Sequence, residues 1–151
     1  MYFVMVSLLM LVLPLASIVH EAGLRPDLSV VAKWCVFWMV GARLFAAGLR
    51  QILQPRYTAR SILAIDGDAN LVVVRELGFA NLALGVGGIT TLAAPSWTPP
   101  MALVGGIFYA AAGIQHLLHS GRNKVQSFAM ATDLFAAVVL LGFFLWALRF
   151  N

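Results

Sequence analysis

Five long apolar segments constrain this chain more than any other feature of its sequence. Each is about long enough to cross the ~30 Å hydrocarbon core of a bilayer, which takes roughly 20 helical residues. The segments are Tyr2–Val19, Ser29–Leu53, Asn70–Ala93, Pro100–His119 and Val125–Arg149. Because an unpaired peptide group in lipid is costly, and no segment alternates like a barrel strand, we expect all five to span as helices.

The composition supports the same interpretation. Of the 151 residues, 62% are apolar and only 11% are charged, which is unlike a water-soluble domain of this size. The sequence therefore predicts an all-α integral membrane bundle of five helices, forming a single transmembrane domain over residues 1–151. The second segment carries Lys33, Arg43 and Arg50, so an amphipathic position in the membrane interface is the alternative for it. That alternative leaves a bundle of four transmembrane helices.

The positive charges of the chain indicate topology and no nucleic-acid partner. The formal net charge is +4, but the ten Lys and Arg residues are scattered singly at segment ends and in loops, without a basic run. More of them fall on the side of residues 54–69 and 120–124 than on the other side, which predicts a cytoplasmic N-terminus. The longest connection, 54–69, is predicted to contain a short interfacial helix over 59–65. The first segment lacks a basic start and a small-residue cleavage site, so we expect it to stay as a helix.

Five polar side chains fall inside the apolar segments, where they are expensive. A charged residue at mid-membrane costs about 2.5–3.5 kcal/mol on insertion scales, so such residues usually face the bundle interior and pair. Their depths, counted in residues from the helix ends, place all five in the same half of the bilayer. We therefore predict that they form a polar core. This core either locks the register of the helices or binds a ligand. The five residues are Arg43, Glu76, Asn81, His116 and Asp133.

Two histidines near the end of the fourth segment are weak candidates for a metal site. His116 and His119 project from one face of the predicted helix and, with Glu76 or Asp133, have the composition of a two-histidine, one-carboxylate site. The alternatives are a hydrogen-bonded structural role or proton binding for His116, and a headgroup-level position for His119. Cys35 is the only cysteine, which excludes an intramolecular disulfide. The sequence indicates no particular cofactor.

Stripes of small residues predict where the helices contact each other. Helices in lipid associate through close packing, and small residues three and four positions apart allow the backbones to approach. The stripes consist of Gly78, Asn81, Gly85 and Gly88 in the third segment and of Gly106, Ala110 and Gly113 in the fourth.

Several short motifs resemble those of a known family. The motifs are Arg75–Gly85, Ala112–Leu117, Asn123 and Ala131–Leu134. Over residues 55–140 the chain thereby resembles a family of small, uncharacterised bacterial membrane proteins, similar in layout to the DoxX-like four-helix proteins. The resemblance implies a location in the bacterial inner membrane and no particular reaction. It also implies a polar core formed by Glu76, Asn81, His116 and Asp133.

The sequence favours a function without catalysis. It contains no HExxH motif, nucleophile elbow, P-loop or dinucleotide fingerprint. The first hypothesis is an accessory or assembly component of a membrane complex, which lies in the lipid bilayer and associates with itself as a homo-oligomer or with other membrane protein subunits. The alternative is a membrane-embedded site that binds a small hydrophobic ligand, a quinone or a metal, or that couples transport to protons.

Overall fold

The protein is a bundle of five long helices. The computed structural model describes residues 2–60 and 71–150, and this part of the chain contains no β-strand. The helices are α1 (Tyr2–Ala22), α2 (Leu28–Leu53), α3 (Leu71–Thr90), α4 (Pro95–Leu118) and α5 (Lys124–Phe150). Each is long and apolar enough to cross a membrane. The predicted all-α fold with five spanning helices is therefore confirmed.

Helix α2 occupies the inside of the bundle. Of its apolar stretch 44% is buried, against 22–28% for the other four helices. This helix is also long and apolar enough to cross a membrane, which agrees with five spans and not with the four-helix alternative. A short helix, Pro55–Thr58, follows α2 directly. Of the helix predicted over 59–65, residues 61–65 lie outside the described part of the chain.

Helices α2 and α3 pack backbone against backbone. A β-carbon added at Gly85 would lie only 2.6 Å from the Cα of Phe45, and one at Gly88 only 2.7 Å from the Cα of Gly41. Atoms cannot approach so closely, so glycine is required at both α3 positions. The small-residue stripe of the third segment is thereby confirmed as a helix contact.

Helices α4 and α5 form a tight antiparallel hairpin. A β-carbon added at Gly106 or at Gly113 would lie 2.7 Å from the side chain of Leu141 or Leu134, respectively. The small residues of α4 therefore admit large leucines from α5, as the stripe in the fourth segment predicted. This packing fixes which faces of α4 and α5 turn toward the rest of the bundle.

Side chains satisfy the backbone groups at the turn between α4 and α5. Arg122 Nη1 donates hydrogen bonds to the carbonyl oxygens of His116 and His119, each at 2.8 Å, and so caps the end of α4. The Asn123 side chain accepts from the Gln126 N–H at 2.8 Å, and the Gln126 side chain accepts from the Asn123 N–H at 2.9 Å. This reciprocal pair is a capping box that starts α5.

Two helices contain widened, π-helical turns. The turn in α1 is Leu8–Val12, two residues before Pro14, and the turn in α2 is Val36–Ala42. Pro14 has no N–H to donate to the preceding turn, which accounts for the local irregularity in α1. π-Helical turns are frequent at functional sites, and the two in this bundle contact each other.

Candidate functional site

A buried ion pair joins α2 to α5. Arg43 Nη2 lies 2.7 Å from Asp133 Oδ1, and the same nitrogen lies 3.3 Å from the hydroxyl of Thr132. Arg43 is 8% exposed and Asp133 is 6% exposed. The two charges are 90 residues apart in the sequence and form one neutral unit inside the bundle.

Two further side chains enclose the Arg43 guanidinium. Its central carbon lies 4.8 Å from the centre of the Tyr109 ring, within the range of a cation–π interaction. Its Nη1 donates to the Met10 sulfur at 3.3 Å. Arg43 therefore has contacts with α1, α4 and α5, and it ties three helices to α2.

The π-helical turn of α2 explains how Tyr109 is held. In a regular helix the Arg43 N–H would bond to the carbonyl of Met39, but here it bonds to the carbonyls of Trp38 and Val40. The Met39 carbonyl instead accepts a hydrogen bond from the Tyr109 hydroxyl. The irregular turn thus provides an acceptor that fixes the tyrosine over the Arg43 guanidinium.

A second polar contact joins α2 to α3. The side-chain nitrogen of Asn81 donates to the side-chain oxygen of Gln51 at 2.8 Å. Both residues are buried, with Asn81 3% and Gln51 8% exposed. The carbonyl oxygen of the Asn81 side chain has no hydrogen-bond partner among the residues that the structure describes. A buried acceptor without a partner is uncommon and calls for a physical explanation.

These groups surround a cavity of about 320 Å³ to which all five helices contribute. The cavity lies in the half of the bundle where α2 ends. Apolar and small side chains form much of its wall, including Met5, Leu77, Phe108 and Ala112. The polar side chains in its wall are Tyr2, Arg43, Gln51, Thr58, Asn81, Tyr109, His116 and Asp133. Its size falls at the lower end of the range of about 300–1,000 Å³ found for small-molecule sites.

Glu76 lies apart from this polar group. Its side chain is exposed on the outer face of α3, so its predicted place in the polar core is wrong. The helix repeat explains the difference, because each residue advances about 100° and Glu76 lies about 140° around the helix from Asn81. The prediction counted depth along each helix and left out the rotation of each residue about the helix axis.

The two histidines have different environments. His116 is half-buried and lines the cavity, whereas His119 is exposed at the end of α4. Within residues 2–60 and 71–150, no group of three or more His, Cys, Asp or Glu side chains is placed to hold a metal ion. The structure therefore gives no support to a metal site shared by His116 and His119.

The sequence analysis missed two members of the buried polar group. Gln51 was not singled out, although it follows Arg43 by eight residues and so lies about 80° from it around α2, within the width of one buried stripe. Thr58, in the short helix after α2, is 3% exposed and also lines the cavity. A buried-face search along α2 from Arg43 would have found Gln51, whereas no sequence signal pointed to Thr58.

The fold and the buried polar group define a five-helix membrane protein with a partly polar cavity between its helices. The chain belongs to a family of unknown function, DUF6790, whose model matches residues 1–150. Searches of the curated proteins and of the solved structures gave no match.

Proposed function

We propose that this protein binds a small amphipathic molecule inside its membrane-spanning bundle. One observation carries the proposal: a cavity of about 320 Å³ is lined by buried polar side chains, one of which, Asn81, has an unused hydrogen-bond acceptor. In a membrane protein, polar groups at this depth are expensive and usually mark a functional site.

The energetics argue against a purely structural explanation of the cavity. Leaving a buried acceptor without a partner costs about 1–3 kcal/mol, and a void forgoes the contacts that leucine or phenylalanine would make there. Elsewhere the same bundle packs tightly, as at Gly85 and Gly113, where a single added carbon would overlap a neighbour. Because the helices pack so closely elsewhere, larger side chains could also fill the cavity. The presence of the cavity therefore favours a bound molecule.

The lining indicates the general character of that occupant. Met5, Leu77 and Phe108 suit an apolar body, while Arg43, Asn81 and Asp133 suit a polar head group. Binding sites for small molecules commonly combine a mostly apolar wall with a few convergent polar groups. A quinone or another small hydrophobic ligand falls within this description.

We favour ligand binding over proton-coupled transport and over metal binding. Asp133, the one carboxylate that the described residues contribute to the cavity wall, is held by Arg43 at 2.7 Å, so an exchanging proton would compete with a fixed cation. A metal would need further ligands around His116, and the described part of the chain offers no such group.

Assembly with other subunits stays a prediction. The small-residue faces that suggested an accessory role, around Gly85 on α3 and Gly113 on α4, are used for contacts within the bundle. An association with further copies or with other proteins would therefore need other faces. The DoxX-like layout, the bacterial inner membrane and the cytoplasmic N-terminus are likewise predictions that this proposal does not require.

Co-purification tests the proposal. The chain is purified in mild detergent, and small molecules released on denaturation are quantified by mass spectrometry against two variants. Ala112→Phe places a ring in the cavity, whereas Ala131→Phe adds the same ring to an exposed position of α5. We expect an amphipathic compound near one equivalent in the unmodified chain and in Ala131→Phe, and its loss in Ala112→Phe. Equal recovery from both variants, or recovery of bulk lipid alone, would contradict the proposal.

A further inference from the structure

We propose that the bundle holds a phospholipid of the surrounding bilayer at the end where α2 begins. One acyl chain lies in a groove between α2 and α5, and an ammonium–phosphate head group lies against the ion pair of Glu21 and Lys33. This site shares no lining residue with the cavity described above, so it does not depend on the proposed binding function. Two observations carry it: an apolar groove that leads into a polar cleft, and a partly exposed charge pair in that cleft.

The groove between α2 and α5 is apolar and opens toward the lipid. It has a volume of about 140 Å³, and its walls span 28–36 on α2 and 139–143 on α5. Leu28 and Gly142 are exposed at its rim, and a β-carbon added at Gly142 would meet nothing within 4 Å. Because water is excluded from the hydrocarbon region and an empty groove forgoes dispersion contacts, an acyl chain fills it.

The groove leads into a polar cleft at the surface of the membrane. The cleft has a volume of about 360 Å³, and Phe143 lines both the cleft and the groove. Glu21, Ser29, Lys33 and Trp146 also line the cleft. Since Glu21 and Ser29 lie at the ends of their helices, the cleft is at head-group level, where tryptophan is enriched. A molecule that occupies the groove and the cleft together has an apolar tail and a polar head, as a membrane lipid does.

The described residues of the cleft carry two opposite charges that can each take a further partner. Lys33 Nζ lies 2.5 Å from both carboxylate oxygens of Glu21, and the Trp34 ring N–H donates to the same carboxylate at 2.8 Å. These contacts use two of the three ammonium donors and three of about four acceptor sites of the carboxylate. The side chains of Lys33 and Glu21 stay 29% and 36% exposed, so the remaining donor and acceptor are accessible.

This pair selects a head group that carries both a phosphate and a primary ammonium. The phosphate accepts from Lys33 and the ammonium donates to Glu21, so positive and negative charges alternate. Phosphatidylethanolamine has such a head group. The quaternary ammonium of phosphatidylcholine has no N–H to donate, and phosphatidylglycerol has no cation to offset repulsion between its phosphate and Glu21. The acyl chain adds little selectivity, because lipid tails are as apolar as the groove.

Competition among three lipids tests the proposal on the unmodified chain. The protein is reconstituted in nanodiscs with equal amounts of phosphatidylethanolamine, phosphatidylcholine and phosphatidylglycerol that share the same acyl chains. Lipids retained after gentle release are counted by native mass spectrometry. We expect phosphatidylethanolamine to be retained about fivefold over either of the others, as one partly exposed ion pair implies. Equal retention of the three would indicate annular lipid only and would overturn the proposal.

A matched pair of variants tests the head-group contact. Glu21→Gln removes the anion that the ammonium faces and should reduce the preference for phosphatidylethanolamine to less than about twofold. Asp27→Asn makes the same change at an exposed carboxylate outside the cleft and should keep the full preference. Because the Glu21–Lys33 pair is partly exposed, its loss should leave the fold intact. An undiminished preference in Glu21→Gln would overturn the assignment of Glu21.

A second matched pair tests the groove. Gly142→Leu adds a branched side chain in the groove and should lower the amount of phosphatidylethanolamine retained, whereas Ala131→Leu, at an exposed position of α5 outside the groove, should not. Ala112→Phe, which alters the cavity, should leave this lipid in place, so the two sites are distinguished. Unchanged retention in Gly142→Leu would overturn the groove as the place of the acyl chain.

Discussion

Removal of one partner of the Arg43–Asp133 pair should destabilise the bundle far more than removal of both. In Asp133→Leu the Arg43 guanidinium stays buried, and its remaining neighbours, among them the Thr132 hydroxyl, the Met10 sulfur and the Tyr109 ring, supply no negative charge. A guanidinium cannot lose its charge in proteins, and breaking a buried pair in this way costs about 3–5 kcal/mol. The low exposure of both residues, 8% and 6%, places this pair in the buried class.

The double variant Arg43→Met/Asp133→Leu provides the contrast. Replacing both members of a buried pair by apolar residues of similar size is often neutral or stabilising. We therefore expect the double variant to lie within about 1 kcal/mol of the unmodified chain, which gives a coupling energy of about 3 kcal/mol or more. The assay is reversible unfolding in mixed micelles with increasing dodecyl sulfate, followed by far-ultraviolet circular dichroism.

The Lys33–Glu21 pair supplies the matched control. Its atoms are as close, at 2.5 Å, but its side chains are 29% and 36% exposed. Because solvent screens such a pair, the same cycle with alanine at both positions should show little coupling. The reasoning would be refuted if the double variant lost as much unfolding free energy as the Arg43→Met and Asp133→Leu variants lose together.

Two further substitutions test the packing around the site. Gly85→Ala places a carbon 2.6 Å from the Cα of Phe45, so we expect the free energy of unfolding to fall by about 1–3 kcal/mol. The control Gly142→Ala meets nothing within 4 Å and should be neutral or slightly stabilising. The same micelle titration distinguishes the two variants, and equal effects would contradict the close contact of α2 with α3. Tyr109→Phe removes the hydroxyl that donates to the Met39 carbonyl, and we expect it to lower the free energy of unfolding by about 1 kcal/mol. The loss is measured as a lowered unfolding midpoint, and an unchanged midpoint would show that the hydrogen bond contributes no stability.

The sequence predicted the architecture well because lipid leaves few alternatives. Apolar length alone located all five helices, and small residues at helical spacing located the faces of α3 around Gly85 and of α4 around Gly113 that contact other helices. The second helix was ambiguous because of its three basic residues. In the structure one of the three, Arg43, pairs with a carboxylate from α5, which is compatible with a spanning helix.

The site was only partly predictable. The cost of charge in lipid singled out Arg43 and Asp133, but no sequence pattern shows which residues pair when their helices are distant in the chain. Glu76 was misplaced because depth was considered without rotation about the helix axis. The cavity itself depends on how five helices fit together, so no local sequence pattern predicts it.

The position of photoprobe adducts tests the central claim most directly. The protein is irradiated in lipid nanodiscs with a long-chain alcohol that carries a photoreactive diazirine, the chain is digested, and the modified residues are located by mass spectrometry. Our account predicts adducts concentrated in the cavity-lining peptides around Leu77 to Asn81 and Ala111 to His116. Adducts spread instead over outward-facing residues such as Val86, Ile107 and Val138, in proportion to their exposure, would contradict it.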